Sequence, residues 1–331
     1  MRNIFWGCAV LLLVLSCSSS DSNNTEQNTP LVWEPQATGE WPVATPEAAG
    51  FDRALLMACF EKASSAGLDS LSVYRNGALV GESYFHGFSA ASPHHVRSVT
   101  KTVTALLIGI ALERGDLESV DQPIGPFFAD EAPNLSAEKA AITIHNLLTM
   151  TSGFEWDESS SSGYTDWANS ANPITYVLNK PLAHPPGVSF TYNSGAVHLL
   201  AVILTKATGM DTLSYAQSHL WQPLGIETLR WEKLADGNYN GAAGLELRPR
   251  DMAKVASVLL AGGTWQGKPV VPATWVEGMG TPTRPGTVTF GALENINYGY
   301  LWWLGSGSGH PMQLGWGWGG QFIATFPDLD L

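Results

Sequence analysis

Charge is scarce and one-sided in this 331-residue sequence: Asp, Glu, Lys and Arg make up 14% of it, and 30 acidic residues against 17 basic ones leave a formal charge of −13. No basic stripe is present to neutralise phosphates, so nucleic acid is excluded as a partner. Cysteine is scarcer still. Of the three, Cys8 and Cys17 lie in the N-terminal leader and Cys59 stands alone in the body. No intramolecular disulfide is therefore expected after processing, and Cys59 reads as a small buried hydrophobe. Also missing are a Gly-x-Ser-x-Gly elbow, a His-Glu-x-x-His helix, a Cys-x-x-Cys pair and a Walker-type loop, which removes the common hydrolase, zinc-protease, redox and nucleotide readings. The eight histidines are scattered; His94-His95 is the one adjacent pair. Without carboxylates at ligand spacing it reads as a surface loop. No metal and no cofactor are expected, and no internal repeat is visible.

Apolar residues, by contrast, reach 44%, enough for a compact globular body. After Arg2 an uncharged run extends from Asn3 to Leu15. At about 1.5 Å per helical residue it is too short to cross a ~30 Å hydrocarbon core and reads as a signal-peptide core. Its end, Val14-Leu15-Ser16-Cys17, resembles a bacterial lipobox, with Cys17 the lipidated residue. Residues 18–28, all polar, cannot bury area against their ordering entropy and read as a flexible spacer. The expected organisation is a signal peptide over 1–16, a tether over 17–45 and a body over 46–331. The body would be exported and held at the cell envelope, its membrane partner reached through the lipid.

Within the body, Asp52–Ala66 reads as a helix, and Leu71–Tyr74 and Leu79–Phe85 flank Arg75-Asn76-Gly77. Asn-Gly between apolar runs is a strong hairpin signal. Thr102–Leu112 carries no charge, and Val99, Val103, Leu106, Leu107 and Ile110 add helical spacing; a helix apolar nearly all round is a buried one. Helices are also predicted over Ile142–Met150, Gly195–Thr208 and Arg248–Leu260, and strands over Tyr298–Leu304 and Gln321–Phe326. Strands, a helical middle and strands again imply one α+β unit, an antiparallel sheet flanked by helices with an all-helical section inserted. The sheet part is expected over about 46–97 and 236–331, the helical part over about 98–235.

Ser-x-x-Lys occurs twice, at Ser98-Val99-Thr100-Lys101 and Ser136-Ala137-Glu138-Lys139. Ser136 sits before a polar first turn and reads as a helix cap. Ser98 opens the buried helix with Lys101 one turn on, on the same face. There the helix N-terminus supplies positive potential, and apolar surroundings disfavour the ammonium, leaving an amine able to take the serine proton. The plain alternative is a capping serine beside a lysine that snorkels to solvent, and the tetrapeptide alone does not decide between them.

Its company does more. Leu147-Leu148-Thr149-Met150-Thr151-Ser152-Gly153 and Phe190-Thr191-Tyr192-Asn193-Ser194-Gly195 follow it, then Gly241-Ala242-Ala243-Gly244-Leu245 leading into Arg248-Pro249-Arg250-Asp251, then Gly319-Gly320-Gln321-Phe322-Ile323 before Pro327-Asp328-Leu329-Asp330. From about Pro46 onward this resembles the serine β-lactamase-related family of class C β-lactamases, low-molecular-weight penicillin-binding proteins, β-lactamase-like carboxylesterases and 6-aminohexanoate-dimer hydrolase. The resemblance implies that Ser98 is the acylated nucleophile, that Lys101 takes its proton, and that Tyr192 assists proton transfer to the leaving group of a small-molecule ester or amide. Two positions depart from the family pattern. Ser194 stands where a substrate-facing amide is usual, and a cap for Gly195–Thr208 is the other reading of it. The third motif has no basic residue in Gln313–Gly320. Placed at Gly315-Trp316-Gly317, it sets the backbone N–H of Trp318 beside that of Ser98 in an oxyanion hole; slipped to Trp318-Gly319-Gly320, it assigns that role to Gln321. A cation would have to come from elsewhere, Arg284 being one candidate. Trp302, Trp303, Trp316 and Trp318, with Trp156 and Trp167 from the helical middle, are divided between core and an aromatic-walled acyl pocket. Relatives continue beyond the equivalent of Leu331 through another strand, so the N-terminal hairpin is expected to show an unpaired edge.

Three functions stay open at this level: an ester or amide hydrolase, a penicillin-binding peptidase or β-lactamase, and a non-catalytic envelope protein that reuses the fold for binding. Oligomeric state is not written in the sequence. The leader makes its own prediction: radiolabelled palmitate enters the expressed protein, and Cys17→Ala abolishes both labelling and membrane fractionation. A labelled Cys17→Ala variant would remove the tether.

Overall fold

The computed structural model describes residues 31–227, 230–283, 288–291 and 293–331. The leader, Cys17, the 18–28 spacer and Arg284 lie outside these. Helix α1 (Arg53–Ser65) starts at Asp52, whose carboxylate accepts the Leu55 N–H at 3.0 Å, and it buries Leu56, Phe60 and Ala63, one stripe at helical spacing. That stripe lies on the hairpin of β1 (Ser70–Arg75) and β2 (Ala78–Tyr84). Asn76 and Gly77, at φ 53° and 72°, form the two-residue turn that Asn-Gly foretells. A Cβ on Gly81 would come within 2.7 Å of the Phe60 ring, so glycine is what lets helix and hairpin close. Cys59 is half-buried and disulfide-bonded, which corrects the expectation of an inert buried hydrophobe.

His94 and His95 are not a surface loop. They form a two-residue strand β3, with His94 buried under Phe88 and its Nδ1 3.5 Å from Asp69. Its pairing partner comes from a strand 150 residues downstream, which no local signal reveals. Next comes α2 (Val99–Glu113), in which every residue from Val99 to Ala111 is buried. Helices α3 (Ile144–Leu148), α4 (Pro173–Leu178) and α5 (Ser194–Thr208) follow, α3 begun by a reciprocal Thr143–Asn146 capping box and α5 closed by Gly209 at φ 68°. Both α2 and α5 contribute to one core cluster, which agrees with their predominantly apolar composition.

The chain then returns to strands. β4 (Arg230–Trp231) and β5 (Leu245–Leu247) join β3 in the order β3-β5-β4. Helices α6 (Pro249–Leu260) and α7 (Ala273–Met279) precede an antiparallel meander. Its strands are β6 (Val288–Phe290), β7 (Leu293–Tyr298), β8 (Trp303–Gly307), β9 (His310–Gly317) and β10 (Gln321–Thr325). The single strand expected over Tyr298–Leu304 is in fact a reversal: Tyr298 ends β7, Leu301 sits at φ 54°, and Trp303 begins β8 paired to Tyr298. Aromatic density there reflects burial, and burial is compatible with a turn. The strand, helix, strand order and the antiparallel sheets are those of an α+β fold with a helical section inserted.

β1 pairs with β2 alone and β10 with β9 alone; their outer edges line a cleft of about 1030 Å³ along α6. Ser72 Oγ, Tyr74 OH, Thr325 Oγ1 and Trp41 Nε1 are buried around it without hydrogen-bond partners. Among the described residues no strand pairs with the outer edge of β1. Among the described residues no single helix is long and apolar enough to cross a membrane.

Candidate active site

The link from β3 to α2 contains Arg97 at φ 53°, a left-handed backbone rare for a residue with a side chain. That kink brings Ser98 to the mouth of α2. Ser98 makes no side-chain capping bond; its Oγ instead accepts from Lys101 Nζ at 3.0 Å. Lys101 is 1% exposed and donates a second bond to the Ala242 carbonyl at 3.0 Å. A capping serine with a snorkelling lysine is therefore not the arrangement. That description fits the other copy better, where Ser136 accepts the Lys139 N–H at 3.3 Å. Burial pushes the Lys101 amine down to about 8, with the Glu158 charge acting weakly the other way.

Tyr192 stands across from this pair, its ring centroid 4.9 Å from Lys101 Nζ. Burial first and Glu158 second push its phenol well up, while a hydrogen bond with the Ser98 side chain pulls it back. It therefore stays protonated near neutral pH and can donate. The loop after α3 fixes its place: Met150, at φ 59°, accepts the Thr191 N–H on its carbonyl at 2.8 Å and the Asn193 N–H on its sulfur at 3.4 Å. This gives the Leu147–Gly153 motif a structural meaning. The ring is stacked on Trp303 at 5.8 Å, and Tyr298 and Phe190 continue the aromatic wall.

Ser194 is not the helix cap. Asn193 is, accepting the Ala196 N–H at 2.8 Å. Ser194 is the first residue of α5, buried, with its hydroxyl donating to Glu158 Oε1 and its N–H to Oε2 at 3.1 Å. The Trp156 indole N–H reaches the same Oε2 at 2.6 Å. Glu158 had no signal in the sequence, because Asp157-Glu158-Ser159-Ser160 looks like an ordinary solvated turn. Only the fold shows that its charge lies within electrostatic reach of Lys101, Tyr192 and Tyr298.

β9 closes the site. A Cβ on Gly315 would fall 3.5 Å from Val99 Cγ1, and one on Gly317 would fall 2.5 Å from the Val96 carbonyl and 3.0 Å from Arg97 Cβ. Glycines let this strand lie against the first turn of α2, which places Gly317 and Trp318 next to the Arg97-Ser98 link. Trp316, on the alternate face, packs with Phe290, Phe322 and Trp303. Trp318 is exposed at 74%, with the Arg97 guanidinium 5.6 Å above its ring. Of the other tryptophans, Trp302 and Trp167 are wholly buried in the core, while Trp303 and Trp156 are half-buried beside Tyr192 and Glu158.

A hydroxyl, a depressed amine and a neutral phenol at one helix mouth can support acyl transfer. The family model described as Beta-lactamase matches residues 60–331. The chain belongs to the β-lactamase family. It is 24% identical over 225 residues to 6-aminohexanoate-dimer hydrolase of Paenarthrobacter ureafaciens, covering 63% of this chain and 56% of that one. It spans about half the length of that relative and about a third of the Staphylococcus aureus protein flp, to which it is 26% identical over 161 residues, 48% of this chain and 32% of flp. Among solved structures, a Bacillus anthracis protein named as a candidate 6-aminohexanoate-dimer hydrolase superposes with TM-score 0.67 at 23% identity, covering 79% of this chain and 71% of that one. An octameric penicillin-binding protein homologue from Pyrococcus abyssi gives 0.65 at 19%, covering 84% and 71%. The β-lactamase-type fold, with helices and antiparallel sheets, is common to all of these.

The electrostatics make a prediction. The Glu158 charge raises the Lys101 pKa, so Glu158→Gln lowers it further and makes the neutral amine available at lower pH. The acid limb of a kcat/KM profile should therefore move to lower pH in Glu158→Gln. An unmoved limb, or one moved upward, would show that Glu158 does not act on Lys101.

Proposed function

We propose that this protein is a serine hydrolase that cleaves ester or amide bonds through an acyl-enzyme on Ser98, with the character of a carboxylesterase. The observation that carries the reading is the 3.0 Å contact from a buried Lys101 amine to the Ser98 hydroxyl. In the neutral form Lys101 takes the hydroxyl proton as the Oγ attacks the substrate carbonyl. The oxyanion that forms is held by the backbone N–H groups of Ser98 and of Trp318, a contribution typically of about 3 kcal/mol. The tetrahedral adduct collapses as Tyr192, kept protonated by burial, passes a proton to the leaving oxygen or nitrogen. The proton held by Lys101 returns to the Tyr192 phenolate; water then attacks the Ser98 ester, giving one proton to Lys101, which passes it to the departing Ser98 oxygen, so that the carboxylic acid is released and the hydroxyl, amine and phenol are restored. The aromatic wall of Tyr192, Trp303, Tyr298 and Phe190 offers an apolar seat for the acyl or leaving group. Being a mechanism of side chains, it needs no cofactor. With its lipid on Cys17, the enzyme would work at the envelope surface, tethered to the membrane.

β-Lactam or peptide cleavage is the second reading, and one observation favours it. Gly315-Trp316-Gly317 carries no cation for a substrate carboxylate, yet Arg97 lies over Trp318 at the end of that strand. Charge-assisted hydrogen bonds are about twice as strong as neutral ones, so a third motif without charge disfavours anionic drugs. An exposed guanidinium stacked on an indole only partly offsets that loss.

The test combines labelling and turnover. A fluorophosphonate probe adds one mass increment to the protein and none to Ser98→Ala, and Lys101→Ala is nearly as inert because the two act together. Turnover of p-nitrophenyl butyrate exceeds that of nitrocefin and benzylpenicillin in kcat/KM. Labelling that survives in Ser98→Ala would end the assignment. β-Lactam turnover at or above the ester rate would favour the second reading and make Arg97 the residue to replace.

A further inference from the structure

Resting on the serine-hydrolase reading, we infer that the buried pair His198–Asp236 is a positioning device, which holds the acceptor of Lys101 against the helix that follows Tyr192. Neither residue touches Ser98, Lys101 or Tyr192. His198 Nε2 and Asp236 Oδ2 are 2.8 Å apart with side chains 0% and 4% exposed. The imidazole Nδ1 is buried without a partner, so in the neutral ring the proton sits on Nε2 and is donated to Asp236. The carboxylate is held below its ordinary value, burial raising it and the His198 contact outweighing that. Two buried polar side chains with one bond between them are costly unless that bond does something for the structure around them.

What it fixes is the turn 232–240. Asp236 is its tip: Oδ1 accepts the Asn238 N–H at 2.9 Å, Leu234 N–H reaches the Asn238 carbonyl at 2.9 Å, and Lys233 bridges Tyr239. At the base, the Asn240 side-chain oxygen accepts the N–H groups of Ala242 and Ala243 at 3.0 and 3.2 Å, and its carbonyl accepts the Trp231 indole at 2.9 Å. The next two carbonyls are then aimed at α2: Gly241 at Thr104 Oγ1, 2.7 Å, and Ala242 at Lys101 Nζ, 3.0 Å. A Cβ on Gly241 would fall 2.8 Å from Ala201 Cβ, so the segment rides directly on α5. α5 begins at Ser194, two residues after Tyr192, and His198 is one turn further on. One hydrogen bond therefore ties the carbonyl that holds the base to the helix that follows the acid. If it lets go, Lys101 and Tyr192 lose their common reference, and misplacement of about 1 Å costs on the order of a hundredfold in rate.

A purely structural pair would affect stability and leave the chemistry of the folded molecules alone, so the experiment reads rate per folded site. Full-length enzyme is labelled with a fluorophosphonate to its end point, which counts active sites, and the labelling rate is followed separately. For His198→Leu we expect complete labelling at a rate at least about tenfold lower, with kcat for p-nitrophenyl butyrate down by a similar factor and KM nearly unchanged. His198→Gln, whose amide N–H can still donate to Asp236, should recover most of the rate. Should His198→Leu yield no folded chain, Asp236→Ala, which removes the contact from its other side, carries the same expectation. A folded variant that lacks the contact yet labels and turns over at the wild-type rate overturns the inference, whatever its melting temperature. Wild-type protein that takes no label would instead overturn the serine-hydrolase reading, so the two failures are distinguishable.

Discussion

A lysine amine enclosed in the core, with two neutral oxygens to bond and no ion-pair partner among the described residues, is the constraint around which the site is arranged. Removing an ammonium from water costs several kcal/mol even after relaxation. Hydrogen bonds to a hydroxyl and a carbonyl return about 1–3 kcal/mol each, and the facing Tyr192 ring adds on the order of 1 kcal/mol. Desolvation therefore wins, and the amine settles at about 8 instead of the usual 10.5. The fold tolerates this because α2 is buried on every side and cannot turn its lysine outward. β9 seals one flank with glycines, the Gly241-Ala242 segment seals another, and Tyr192 stands opposite.

Burial acts in opposite directions on the two titrating groups. It loosens the proton on Lys101 and tightens it on Tyr192. Groups whose environments push them apart in this way define an acid and a base without a metal or an external charge. Glu158 opposes the first effect and reinforces the second, so its distance from the pair is part of the balance. Its carboxylate is restrained by the Ser194 N–H, the Ser194 hydroxyl and the Trp156 indole, which fixes where that negative charge sits.

Much of the scaffold was legible in the sequence because its signals are local. Asn76-Gly77 dictates its turn through left-handed backbone; the charge-free Thr102–Leu112 run dictates a buried helix, and the Ser98 to Lys101 spacing at the start of that helix allows their contact. What escaped is what the chain assembles over long separations. His94-His95 became a strand only because β5 arrives beside it, and the aromatic run from Tyr298 hid a reversal because buried turns and buried strands share a composition. Asn193 displaced Ser194 as the cap once Glu158 engaged the serine. The Ala242 carbonyl on Lys101, 141 positions away, leaves no mark that a single sequence can display.

The most direct measurement is the titration of Lys101 itself. Lysine labelled with ¹³C at Cε and ¹⁵N at Nζ is followed by NMR across pH, with the Lys101 resonance assigned by its loss in Lys101→Arg. The account predicts a midpoint near 8, well below the surface lysines in the same spectra. A midpoint at or above about 10, the ordinary lysine range, would leave roughly a thousandth of Lys101 as free amine at neutral pH where a midpoint near 8 leaves roughly a tenth, and would contradict its role as the base that activates Ser98.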